Sequence, residues 1–191
     1  MKVELYTPPW GAPEMTNEGQ EAIEIIGDNL WAESSVEFYA ERDAKLRNGK
    51  RAPKGMQATL NKLLVKKFKE KDWLADSGYF LKKDTWVRIT FRHQMSLGSD
   101  FIDAQKVCAL SNVKLAIILA ADRQTLDIIT PNDSAAIISF EKLQREVIGL
   151  NGVIDIPLLY GKLTPKTHAA QTIESQLMHD RPRDITVPAK H

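Results

Sequence analysis

Eight residues near the middle of the chain, Lys114 to Ala121 (KLAIILAA), restrict the fold more than any other stretch. The run is apolar at almost every position, without the alternation of a half-buried strand. A strand covered on both faces reads this way. The run is far too short to cross a bilayer. Such a strand needs helices packed above and below its sheet, and 191 residues are enough to supply them around one core.

The flanking sequence carries those helices. Asn17 followed by Gln20 resembles a capping box, and Ile23, Ile26 and Leu30 then share one helical face. The pattern extends past Phe38 and Tyr39 towards Leu46. Arg47–Gly55 (RNGKRAPKG) is turn-rich and basic and reads as a loop. Met56, Leu60, Leu63, Leu64 and Phe68 form the stripe of a second helix. Lys62, Lys66 and Lys69 line another face of it, as a solvated surface or as phosphate contacts. Short strands are expected at Tyr79–Leu81 and Trp86–Gln94. The latter sets Val87, Ile89 and Phe91 against Arg88, Thr90 and Arg92. Helices are expected at Phe101–Leu110 and Ser139–Ile148, and a closing strand at Val153–Tyr160. Residues 1–15 read as an irregular lead. The expectation is one α/β domain over 1–163, a mixed sheet flanked by helices, with a loosely held tail at 164–191.

Composition narrows the function classes only a little. Twenty-six basic and 25 acidic residues leave a net charge of +1, so a basic surface requires local clustering. The single cysteine, Cys108, cannot form an internal disulfide, and its apolar neighbours suit a core thiol better than a nucleophile. The proline-bearing first residues lack the apolar core of a signal peptide. A cytoplasmic location without membrane partners is expected. No Walker A loop, dinucleotide fingerprint, zinc spacing or nucleophile elbow occurs.

Four stretches together resemble the BglII and BstYI group of restriction endonucleases, over about residues 22 to 165. They are EIIGDNL in the first helix, ATLNKLLVKKFKEKDWLADS, WVRITFR followed by DAQKVCALSNVKLAIILAA, and ISFEKLQREVIGLNGVIDIPLLYGKL. The resemblance implies the restriction-endonuclease-like, PD-(D/E)xK, fold, double-stranded DNA as partner and a homodimer. It also implies Mg2+ held by carboxylates, because that chemistry needs a metal-activated water and a neutralised phosphate.

The implied site is degenerate. Thr90 stands where the family carries its strand glutamate, and Arg92 where it carries glutamine or lysine. The earlier acidic position falls among Tyr79 to Lys82, with Asp84 the nearest carboxylate. Thr90 supplies no negative charge, and Arg92 repels a cation but suits a phosphate. A displaced metal set would draw on Asp84, Asp100 and Asp103, although Asp100 and Asp103 equally suit the start of a helix. By resemblance, base-reading falls to the segment His93 to Ser99, with Gln94 and Ser96 in it, and to the loop Asn132, Asp133 and Ser134, while Arg92 counts among the DNA-binding positions as a phosphate holder. That loop also reads as a plain turn and helix cap, and His93 as a surface imidazole. Arg51 and Lys54 would track phosphates.

Three functions fit these residues. One is duplex-DNA binding with impaired or absent nuclease activity and no cofactor, in a regulatory or defence role. The second is a Mg2+-dependent type II endonuclease with a displaced site. The third is an interaction module that no longer binds DNA.

Overall fold

In the computed structural model, which describes residues 1–76 and 78–166, the apolar run becomes an inner strand with all seven residues buried. The chain opens with β1 (Lys2–Tyr6), α1 (Asn17–Gly27), α2 (Leu30–Arg47) and α3 (Gln57–Lys69). The meander β2 (Leu74–Asp76), β3 (Tyr79–Lys82) and β4 (Thr85–Thr90) follows. Then come α4 (Leu97–Leu110), β5 (Leu115–Ala121), α5 (Arg123–Ile129), α6 (Phe140–Gly149) and β6 (Leu158–Thr164). One six-stranded sheet results, in the order β1-β6-β5-β4-β3-β2. β4, β5 and β6 run parallel, and the outer pairs are antiparallel.

Two apolar layers sandwich this sheet. On one face Val87, Ile89, Ile117 and Leu119 pack with Ile26, Leu60 and Phe68 of α1 and α3. On the other, Trp86 and Ile118 pack with Phe101 of α4 and Leu143 of α6. Each fully buried aliphatic or aromatic side chain stabilises the fold by roughly 1.5–3 kcal/mol. A mixed sheet flanked by helices is therefore the architecture, as the sequence led one to expect. No helix among the described residues is long and apolar enough to cross a membrane.

Several boundaries move. The first fifteen residues are not all irregular, because Lys2–Tyr6 pairs along β6. Thr16 rather than Asn17 caps α1, its Oγ1 accepting from the Gly19 N–H at 2.9 Å. The long first helix is two helices, broken at Asp28 and at Asn29, which takes the left-handed conformation (φ 33°). Strand β6 begins five residues late, at Leu158 rather than Val153. It ends at Thr164, and the expected tail from residue 167 onward lies outside the described residues.

Candidate functional site

Three segments converge at the C-terminal ends of β4 and β5. Beyond Thr90 the chain leaves the sheet, and the Phe91 carbonyl accepts a hydrogen bond from the Gln57 side chain at 2.8 Å. The Arg92 carbonyl accepts from the Ile138 N–H at 2.9 Å, and His93 bridges to Ile137. The loop before α3 is tied to the end of α5, where the Met56 N–H donates to the Ile129 carbonyl at 2.8 Å. Gly55 makes that approach possible, since a Cβ there would lie 2.3 Å from the Ile129 carbonyl oxygen.

These ties bring most of the expected DNA-contacting residues to one rim. Arg92, His93 and Gln94 are exposed, and Ser96 is half-buried at the start of α4. Lys54, Asn132 and Asp133 line one groove of about 390 Å³, with Asn61 and Gln57. Arg51 lies exposed in the same loop as Lys54. Asp133 precedes a short 3-10 turn, but its side chain makes no capping bond. The cap of α6 is Ser139 instead, its hydroxyl accepting from the Lys142 N–H at 3.4 Å. Ser134 offers its carbonyl to the Arg123 guanidinium. His93 Nδ1 accepts weakly from the Met95 N–H at 3.3 Å, so this imidazole serves locally as a cap.

The catalytic-strand positions form a different cluster from the one a metal requires. Arg88, Thr90 and Arg92 share a face at two-residue steps. Arg88 is 2% exposed and Asp100 is fully buried. Asp100 Oδ1 accepts from Arg88 Nε at 2.9 Å, Arg88 Nη2 at 2.7 Å and Arg92 Nη1 at 2.8 Å. Asp103 lies 3.6 Å from Arg88 Nη2. The Thr90 hydroxyl and Asp100 Oδ2 are buried with no hydrogen-bond partner among the described residues. Arg92 is 44% exposed and so keeps donors free for solvent or a ligand.

The proposed metal set does not assemble. Asp84 sits in the β3–β4 turn, paired with Lys114 at 3.1 Å. A whole strand, about 20 Å at the usual rise, separates it from Thr90. Asp100 is already occupied by two guanidiniums. Among the described residues, no three His, Cys, Asp or Glu side chains are grouped to hold a metal ion. The donors at the β4 positions therefore do not fit a divalent cation, and Asp84 stands in the β3–β4 turn, apart from Thr90 and Arg92.

Three of the four α3 lysines, Lys69 being the exception among the described residues, lie near carboxylates. Lys62 pairs with Glu37, Lys67 with Glu33 at 2.9 Å, and Lys66 with Glu70 at 3.9 Å. Only the N-terminal end of α3 reaches the rim. Arg88 and Gln57 are the residues that sequence reading missed. An arginine at a buried position of an inner strand does carry a signal, because such a charge needs a carboxylate partner. Gln57 carries none.

Cys108 is half-buried, and burial pushes its thiol pKa up from the ordinary value. That agrees with a core thiol.

The chain superposes on two solved structures. Free BglII matches with a TM-score of 0.55 and 17% identity, over 87% of this chain and 81% of that one. Restriction endonuclease BglII complexed with a DNA 16-mer matches with a TM-score of 0.53 and 16% identity, over 87% and 79%. No protein-family model matches the chain, and no curated protein matches it by sequence. At these identities the likeness is one of fold, and the fold is restriction-endonuclease-like.

Proposed function

We propose that this chain binds duplex DNA through the rim at the C-terminal ends of β4 and β5, and that it does not cleave DNA by a carboxylate-held metal. The carrying observation is the convergence of Arg92, His93, Lys54 and Asn132 at that rim beside a catalytic strand without carboxylates. The BglII structure that contains DNA has the same fold, which supports a duplex as the ligand. Arg92, Arg51 and Lys54 contact phosphates on this reading, and His93, Gln94, Ser96, Asn132, Asp133 and Ser134 face base edges.

A second copy of the chain is part of the proposal. An apolar groove of about 530 Å³ runs between α4 and α6 beside the rim, lined by Met95, Ile102 and Val153. All three side chains are exposed. A two-fold partner seated there would cover them and present two rims to one duplex.

The test is anisotropy with a mixed-sequence labelled duplex over a salt series, alongside incubation of high-complexity DNA in magnesium and in manganese. The expected result is binding that weakens steeply with salt, as phosphate neutralisation requires, and intact DNA. Discrete metal-dependent ends at one short motif would instead restore an active, displaced nuclease site. A folded protein that ignores duplex DNA at low salt would leave an interaction module.

A further inference from the structure

Resting on that reading, we infer that Arg88, Asp100 and Arg92 form a built phosphate site, in which buried Asp100 is the positioning residue that aims Arg92. At the β4 positions where the resemblance implies a cation, the carboxylates are already engaged by guanidiniums, and the donors that remain free are those of Arg92.

Charge comes first. Arg88 is buried and lies against Asp100 and, at longer range, Asp103. Two carboxylates and two guanidiniums leave the cluster formally neutral, so what it offers an anion is the exposed N–H groups of Arg92 that Asp100 does not engage. A divalent ion brought here would meet carboxylates already bonded to guanidiniums, whereas a phosphodiester oxygen would meet the unused N–H groups of Arg92. Arginine offers five N–H donors in a planar fork, and the bond to Asp100 engages Nη1.

Preorganisation is the second argument. A surface arginine loses rotamer freedom when it grips a phosphate. Arg92 has part of that freedom already removed, because Asp100 is itself immobilised by two bonds from Arg88. Its backbone is held as well, through the Ile138 N–H on its own carbonyl and the Gln57 amide on the carbonyl before it. A fixed guanidinium at the rim binds an anion more tightly than a free one. Duplex binding through this site needs no divalent metal.

The test uses the full chain and a fluorescein-labelled duplex of mixed sequence, with EDTA or magnesium at matched ionic strength. Wild-type affinity is expected to agree within about twofold between the two conditions. Arg92→Gln should weaken binding about tenfold and reduce the slope of log affinity against log salt by about one, the share of one phosphate contact. Asp100→Asn gives the deciding sign. Removing a negative charge beside DNA would tighten binding by electrostatics alone, but loss of the anchor should weaken it. Arg92→Gln, at an exposed side chain, carries the test if Asp100→Asn does not fold by circular dichroism. Binding that tightens about tenfold or more on adding magnesium would overturn the inference while leaving DNA binding intact, as would an Arg92→Gln protein indistinguishable from wild type. Tighter binding by folded Asp100→Asn would overturn the positioning role. A wild-type protein that binds no duplex in either condition would remove the functional reading and this inference together.

Discussion

Along β4 and just past its end, three polar side chains at two-residue steps meet three different fates. Arg88 is buried and satisfied, Thr90 is buried and unsatisfied, and Arg92 is half out in solvent. Deleting one partner of a buried ion pair strands the other, at a cost of about 3–5 kcal/mol. Arg88→Met should therefore destabilise the protein by that order, read from the midpoint of urea unfolding. Thr90→Val should do the reverse. It removes a hydroxyl that bonds to nothing while keeping the volume, so stability should hold or rise by about 1 kcal/mol. A large loss in Thr90→Val would show that the hydroxyl has a partner after all. The alternation of these residues against Val87, Ile89 and Phe91 was legible in the sequence, since it needs only the period of a strand. Their burial was not legible. It depends on Asp100, which a helix brings back across the sheet face, and periodicity carries no information about that return. Cys108 was legible in the same limited way, from its apolar neighbours. Its raised pKa means little thiolate at neutral pH, so alkylation by iodoacetamide should be slower in the native protein than in the urea-unfolded chain.

At the level of elements, the sequence revealed those with long, regular patterns and hid those defined by contact. The α3 stripe and the β5 run are self-evident in composition, and both stand where expected. β1 was hidden because it is a short edge strand followed by prolines, and pairing with β6 is what makes it a strand. β6 was displaced because Ile154 and Ile156 are buried ahead of it in irregular chain, while Pro157 has no N–H to give to a ladder. The β1–β6 pair also carries a pH signal. The side chains of Lys2 and Lys162, at 2.8 and 2.9 Å, hold the Glu4 carboxyl down at about 2. A depressed carboxylate contributes stability above its unfolded value of 4.5 and loses it as pH falls through about 2. The stability difference between wild type and Glu4→Gln should thus be small at neutral pH, because the site is exposed, and should close as pH falls from 4.5 to 2. A difference that widens towards acid would contradict the pairing. A second element-scale prediction concerns the α2–α3 loop. Gly55→Ala forces a Cβ into the Ile129 carbonyl, so the basic loop must swing away. DNA affinity should fall in that variant and the salt slope should shrink with it, because Arg51 and Lys54 would no longer reach the phosphates.

For the whole molecule, the near-neutral balance hides local pairing of opposite charges. Glu33 and Glu37 of α2, and Asp28 just ahead of it, meet Lys62 and Lys67 of α3, and these pairs do not draw on the rim. The rim keeps Arg51, Lys54 and Arg92, so a net charge of +1 is compatible with a basic working edge. Next to that edge lies the other unsatisfied surface, with Met95, Ile102 and Val153 exposed around the α4–α6 groove. Single exposed apolar residues are ordinary, but three around one groove mark an interaction surface. In the dimer proposed above, this patch meets a second copy about a two-fold axis, and its place beside the rim would let both copies grip the same duplex. Sedimentation of the wild type should then give a dimer at micromolar concentration. Ile102→Asp should give a folded monomer, since a carboxylate in that interface would be desolvated without a partner. The same variant should bind duplex DNA more weakly than wild type while leaving Arg92 and its anchor untouched. If Ile102→Asp abolishes dimerisation but not tight binding, the two rims act independently. If the wild type is a monomer on DNA as well as off it, the groove belongs to some other partner and the two-fold arrangement is wrong.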